Sequence, residues 1–153
     1  MGAPFDGKIY KGIVYRLNKL PQLLPKYPYL IVSDYLGEPA DVIALKDYRR
    51  VKEKLKKKTK KGLGLEVTIA PVRKMDAIDV GRWFDDIRDL YSFCHSSGCQ
   101  FILSSGASFM QEMVSGPSFD AVLKNCDIDP QKHWREMNGW LEERQFHRVN
   151  VNC

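Results

Sequence analysis

The stretch Ser104-Ser105-Gly106-Ala107-Ser108 brings three hydroxyls, a glycine and several backbone amides together. It follows an apolar run, Gln100 to Ser104, that reads as a strand. In parallel α/β folds the C-terminal ends of strands carry the functional loops, and free N–H groups there can hold a phosphate. The same residues also suit a tight turn with a helix cap, and the sequence leaves both open. Cys94, His95 and Cys99 are close enough to suggest metal ligation. A zinc site needs a second ligand pair at short spacing, and Cys126 and His133 stand alone. Cys94 also falls on an apolar helix stripe, where a thiol acts as a small hydrophobe. No metal site is therefore expected. Asp34 and Asp41, near strand ends, are weak Mg²⁺ candidates. Glu66 interrupts an apolar strand, either facing a polar interior or exposed. His95, His133 and His147 fall on predicted helices or the tail and read as surface or capping residues. There is no Gly-x-Ser-x-Gly elbow, no Walker lysine and no Gly-x-Gly-x-x-Gly. No catalytic constellation is complete, and no cofactor is implied.

The other chemistry-bearing feature is cationic. Between Lys46 and Lys61 stand ten Lys or Arg residues against two acids, Asp47 and Glu53, in a chain of 153 residues with net charge +5. The candidate RNA contacts are Arg49, Arg50, Lys52, Lys56, Lys57, Lys58, Lys60 and Lys61. On a continuous helix Lys52, Lys56 and Lys60 share one face, and Lys54, Lys57, Lys58 and Lys61 another. Such an array grips phosphates without reading bases. It is equally the pattern of a solvated helix face. No aromatic RNA-stacking motif accompanies it.

The elements that must position these groups follow from periodicity. Ile9–Leu17, Tyr29–Asp34, Asp41–Leu45, Leu65–Ala70 and Gln100–Ser104 read as strands, with a proline-punctuated segment over Pro21–Pro28. Tyr48, Val51 and Leu55 make one stripe under the cationic face of a helix that Gly62 and Gly64 stop. Val80, Trp83, Phe84, Ile87, Leu90, Tyr91 and Cys94 trace one face of a helix over 80–97, with Asp79 as cap and Gly98 as stop. A short helix is expected over 117–125. A last one starts at Asp129 with Pro130 in its first turn, burying Trp134, Met137 and Leu141. Strands alternating with helices predict an α/β fold: a partial (β/α) barrel, or an open, mostly parallel sheet with flanking helices. Residues 1–145 are expected to form one domain and 146–153 a C-terminal tail. No secretory signal or apolar run of membrane-spanning length is read in the sequence, so a cytoplasmic protein with reduced thiols is expected.

In chain order, Asp41-Val-Ile-Ala-Leu45, the basic helix, Gly64-Leu-Glu-Val-Thr-Ile-Ala-Pro71, the amphipathic helix and Phe101-Ile-Leu-Ser-Ser-Gly-Ala107 carry a resemblance. Together they resemble the C-terminal half of the barrel subunit of archaeal and eukaryotic ribonuclease P (protein component 3). The resemblance covers roughly residues 28–126, and Ile102–Ala107 is its most specific piece. It implies a fold like the polymerase-and-histidinol-phosphatase (PHP) barrels. It also implies a non-catalytic role beside an RNA enzyme that trims the 5′ leader of precursor tRNA, and pairing with a smaller α/β subunit. By position, Ser104, Ser105 and Gly106 match the family's strand-end motif, and Lys56–Lys61 fall where the family is often basic. The family's N-terminal strands and metal motif have no counterpart here, and Glu112–Ser118 lacks the family's arginine. A half barrel exposes sheet edges that a second subunit, self-association or rearranged strands must cover. The alternatives are a PHP-like metal-dependent phosphoesterase remnant, with a site at Ser104–Ser108, Asp34 and Glu66, or a protein–protein adaptor.

Overall fold

A computed structural model describes residues 15–19, 22–23 and 29–150. Its elements are β1 (Tyr15–Leu17), β2 (Tyr29–Ser33), β3 (Val42–Ala44), α1 (Tyr48–Lys58), β4 (Gly64–Thr68), α2 (Ala77–Ser97), β5 (Gln100–Ser104), α3 (Gly116–Asn125) and α4 (Pro130–Asn150). Single 3-10 turns follow β4 (Ala70–Lys74) and precede α3 (Met110–Glu112). The strands form a five-stranded sheet, paired in chain order and all parallel. The α/β expectation holds, with a parallel sheet and flanking helices. The stretch 9–14 of the expected first strand and most of Pro21–Pro28 lie outside the described residues.

Register sorts the strand residues onto two faces. Ile43, Leu65 and Phe101 stand in line, as do Val67 and Leu103. They meet Tyr48 and Leu55 of α1, Trp83, Ile87, Leu90 and Cys94 of α2, and Leu123 of α3 in the main core. On the opposite face Leu30, Val32 and Val42 pack against Trp140, with Ala44, Ile102, Met137 and Leu141 around them. A sheet covered on both faces explains why β4 is buried at four consecutive positions rather than alternately.

Helix boundaries follow local chemistry. Asp47 caps α1 by accepting the Arg50 N–H at 3.2 Å. Thr59, rather than Gly62, ends that helix, so Lys60 and Lys61 lie in the turn beyond it and do not continue its faces. The cap of α2 is Asp76 and not Asp79; Asp79 is the residue whose N–H it accepts, at 2.8 Å. Gly98 closes α2 at φ 69°, a left-handed conformation open to glycine. The backbone of α4 stays helical past Arg144, where the sequence suggests a tail, up to Asn150. Among its described side chains Pro130, His133 and Trp140 are buried, while Trp134, Met137 and Leu141 are half-buried.

α4 begins against the main core and ends across the other face. Its N-terminal half sets His133 against Phe101. Farther along, Trp140 Nε1 donates to the Gly62 carbonyl at 2.8 Å, and Arg144 donates to the same oxygen. Gly64 makes this crossing possible. A Cβ there would lie 2.7 Å from Ile102 Cδ1 and 3.1 Å from the Trp140 ring.

Glu66 lies on the second face, 2 % exposed, and Arg16 of β1 meets both of its carboxylate oxygens. β1 and β4 are separated by two strands, about 14 Å in a flat sheet. Side chains rise roughly perpendicular to a sheet, so this pair closes only because the sheet curves toward that face.

Two outcomes follow. Arg16→Ala leaves a buried carboxylate uncompensated and destabilises the fold by about 1–3 kcal/mol, less than a fully buried pair because Arg16 is half exposed; adding Glu66→Gln recovers part of the loss in urea unfolding. Gly64→Ala overpacks the Trp140 contact and costs about 1–3 kcal/mol by the same measurement.

Candidate nucleic-acid interface

The cationic segment divides in two. Four cations of α1 are neutralised by the cap residue Asp47, by Glu53 of α1 and by Asp86 and Asp89 of α2. Arg49 pairs with Asp86 at 2.6 Å, Arg50 with Asp47 at 3.1 Å, Lys52 with Asp89 at 2.5 Å and Lys56 with Glu53 at 2.8 Å. Tyr48, buried beneath them, donates its hydroxyl to Asp89 at 2.7 Å. Burial first, and then that bond, raise the Tyr48 pKa, while the Lys52 bond holds the Asp89 carboxyl below its ordinary range. This half of the helix is tied to α2.

The second half is free. Lys54, Lys57, Lys58, Lys60 and Lys61 are exposed and make no ion pair among the described residues. Lys57 and Lys58, in the last turn, also complement the negative end of the helix dipole. The Lys61 stem runs over Gly98, where an added Cβ would meet its Cγ at 3.0 Å. Of the eight cations that the sequence singles out, four are committed to acids and four are available. Lys54 joins the available set, since it is exposed and makes no ion pair among the described residues.

Two amides of the strand-end segment are internally satisfied. The Ala107 N–H donates to Ser105 Oγ at 3.2 Å, and the Ser108 N–H to the Glu112 carboxylate at 2.7 Å. An internal carboxylate thus takes an amide that a phosphate would use. Gly106, at φ 64°, packs on Thr68, and the Ser105 carbonyl accepts from the Ala70 N–H at 3.0 Å. The Ser104 hydroxyl is buried without a hydrogen-bond partner among the described residues.

Asp34 and Glu66 line one cavity of about 540 Å³ at the C-terminal ends of β3 and β4, beside Lys46, Arg49, Arg82 and Trp83. Ser104–Ser108 do not line it. Asp34 pairs with Lys46 at 2.6 Å, which raises the Lys46 pKa. Asp41 lies at the opposite end of the sheet, accepting the Ile31 N–H at 2.7 Å. Among the described residues no group of three His, Cys, Asp or Glu side chains is placed to hold a metal ion. Cys94, Cys99 and Cys126 are free thiols, and burial raises Cys94 and lifts Cys126 to about 11. Among the described residues no helix is long and apolar enough to cross a membrane.

His133 departs from its expected surface or capping place. It is fully buried, and both ring nitrogens lack a hydrogen-bond partner among the described residues. Its ring lies 4.9 Å from that of Trp134 and 5.5 Å from that of Phe101, so aromatic faces replace polar partners. Its spacing to Met137 and Trp140, i+4 and i+7, is the signal that places it on the buried stripe. His95 is exposed, 3.9 Å from Glu136. The His147 side chain lies outside the described residues.

No family model, curated protein or solved structure matches this chain.

Burial lowers the His133 pKa to about 4 from 6.5, with Asp120 opposing weakly. Between these values the unfolded chain binds a proton that the folded chain refuses. The stability from this group is complete above pH 6.5 and lost as pH falls toward 4, a change of about 3 kcal/mol. Urea unfolding across that interval should show this slope, and His133→Leu should remove it while leaving the carboxylate contribution.

Proposed function

We propose that this chain is a non-catalytic RNA-associated protein that grips the phosphate backbone with the free lysines at the C-terminal end of α1 and in the turn beyond it. The observation that carries the reading is the division of the cationic segment. Lys54, Lys57, Lys58, Lys60 and Lys61 are exposed and unpaired among the described residues, whereas Arg49, Arg50, Lys52 and Lys56 are held by Asp86, Asp47, Asp89 and Glu53. A cluster of this kind binds by releasing counterions, so affinity falls steeply with salt.

The resemblance to the ribonuclease P barrel subunit narrows the proposal to assistance in 5′ maturation of precursor tRNA, in the cytoplasm. The in-order parallel sheet and its curvature are compatible with a barrel-derived fold. A protein partner completes the reading. Tyr35, Ile78, Phe109, Met110 and Met113 are large, exposed apolar residues. They lie in segments that follow the C-terminal ends of β2, β4 and β5, on one rim of the molecule, and a second subunit or another copy seated there would cover them.

Binding measured across a salt series, with precursor tRNA and an unrelated RNA of equal length, tests the proposal. A steep slope with the precursor preferred supports the narrow reading, and no binding at low salt overturns the whole. Replacing Lys54, Lys57, Lys58, Lys60 and Lys61 by glutamine should flatten the log–log salt slope by about 0.7–0.9 for each phosphate no longer neutralised. Replacing Arg49 and Lys52 should instead lower stability with a smaller change in slope, because their charge is spent on α2.

A further inference from the structure

Two free thiols are brought together where α2 ends. Gly98, in its left-handed conformation, turns the chain back, and the Cys99 N–H donates to the Cys94 carbonyl at 3.0 Å. A helix cap of this kind sets the side chain just past the glycine against the one five residues earlier. The bond also limits how far apart the two backbones can be. With standard covalent lengths on either side of it, the Cα atoms of Cys94 and Cys99 stand no more than about 6.9 Å apart. A disulfide bridges Cα atoms up to about 7 Å apart. Cys94 is a member of the main core and Cys99 packs at its edge. Cys99 is near enough to add to the rise that burial causes in the Cys94 pKa. Their access to solvent differs. Cys94 is 2 % exposed, whereas Cys99 is half-buried and lines a second cavity, about 560 Å³, at the N-terminal end of the sheet. The Cys99 thiol donates to the Lys60 carbonyl at 3.5 Å. The same loop is held to the cap by the Gly62 N–H, which donates to the Gly98 carbonyl at 2.7 Å.

We infer that Cys94 and Cys99 are a reversible redox pair, oxidised to a disulfide by peroxide, and that oxidation loosens the loop carrying Lys60 and Lys61. The loosening matters through the proposed RNA reading; the pair itself stands apart from it. Cys99, open to the cavity, is the sulfur that peroxide reaches. Its sulfur attacks one peroxide oxygen, the S–O bond forms, the O–O bond breaks, and a sulfenic acid and water result. The Cys94 sulfur then attacks the Cys99 sulfur. The S–S bond forms, the S–O bond breaks, and the hydroxide leaves as water with the Cys94 proton. Two electrons have passed from the thiols to peroxide, and a low-molecular-weight thiol returns them by exchange. In a reducing compartment such a bond is transient and sensing rather than structural. Turning toward Cys94, and giving up its hydrogen, Cys99 no longer donates to the Lys60 carbonyl. The loop then loses one of its anchors, and Lys60 and Lys61 are less well ordered to meet a phosphate backbone.

The test treats the full chain with hydrogen peroxide, alkylates the remaining thiols and digests with trypsin. The fragment Asp89–Lys124 holds Cys94 and Cys99 and no other cysteine. It should emerge as a single fragment with neither cysteine alkylated, and both should take the label after dithiothreitol. Alkylated thiols at both positions, a further-oxidised Cys99 beside an alkylated Cys94, or either cysteine joined to another fragment would overturn the pair. Fluorescence anisotropy with a labelled RNA at low salt reads the loosening. The oxidised chain should bind about threefold more weakly than the reduced chain, and Cys99→Ser should bind alike before and after peroxide. If the disulfide forms and affinity is unchanged, the loosening is overturned and the pair stands. If the reduced chain binds no RNA, the RNA reading and the loosening fall together, while the fragment still decides the pair.

Discussion

A carboxylate that is 2 % exposed in the middle of a parallel sheet sets the terms for this fold. Charge cannot be withdrawn from water without a partner, and none of the neighbouring strands supplies one. The partner comes from β1, with two strands between, in the form of the Arg16 guanidinium with its planar fork. The pair closes only on a sheet bent toward one side. That bend makes the face bearing Glu66 concave and leaves the other for the three helices of the main core. The cavity at the C-terminal ends of β3 and β4 lies on the side of the main core, where Tyr48, Trp83, Ile87 and Leu90 line it.

The concave face also explains the path of α4. A bent sheet with a second apolar patch, Leu30, Val32 and Val42, needs cover on that side too. α4 supplies it by crossing from one face to the other, with His133 in the main core and Trp140 in the second. Two glycines permit the crossing. Gly64 has no side chain to obstruct Trp140, and the carbonyl of Gly62 anchors both Trp140 and Arg144. The loop between α1 and β4 is therefore both the anchor of α4 and the carrier of Lys60 and Lys61. Structure and proposed RNA contact meet in the same few residues.

Charge in this molecule is organised by what α1 packs against. The side of α1 that meets α2 faces Asp86 and Asp89, and its cations are spent there. Lys54, Lys57, Lys58, Lys60 and Lys61 make no ion pair among the described residues and are exposed. A run that looks uniform along the chain thus divides into a structural half and a free half.

The sequence by itself determined the parallel α/β class, because strands alternating with helices permit little else. It also located the described strands and the four α-helices, though not the two 3-10 turns or the end of α4, through apolar spacing at Tyr48/Leu55 and Trp83/Ile87/Leu90 and through stops such as Gly98. It showed the cationic run, and it allowed Glu66 to face a polar interior. Tertiary structure alone decided which lysines are free, since the acids that neutralise Arg49 and Lys52 lie some forty residues away. It alone decided that Glu66 is buried, since its partner is fifty residues distant on a non-adjacent strand. It also decided that His133 is buried among aromatic rings rather than exposed, and that the amide of Ser108 is occupied by Glu112. Periodicity reports which side of an element is apolar; it does not report what another element brings to that side.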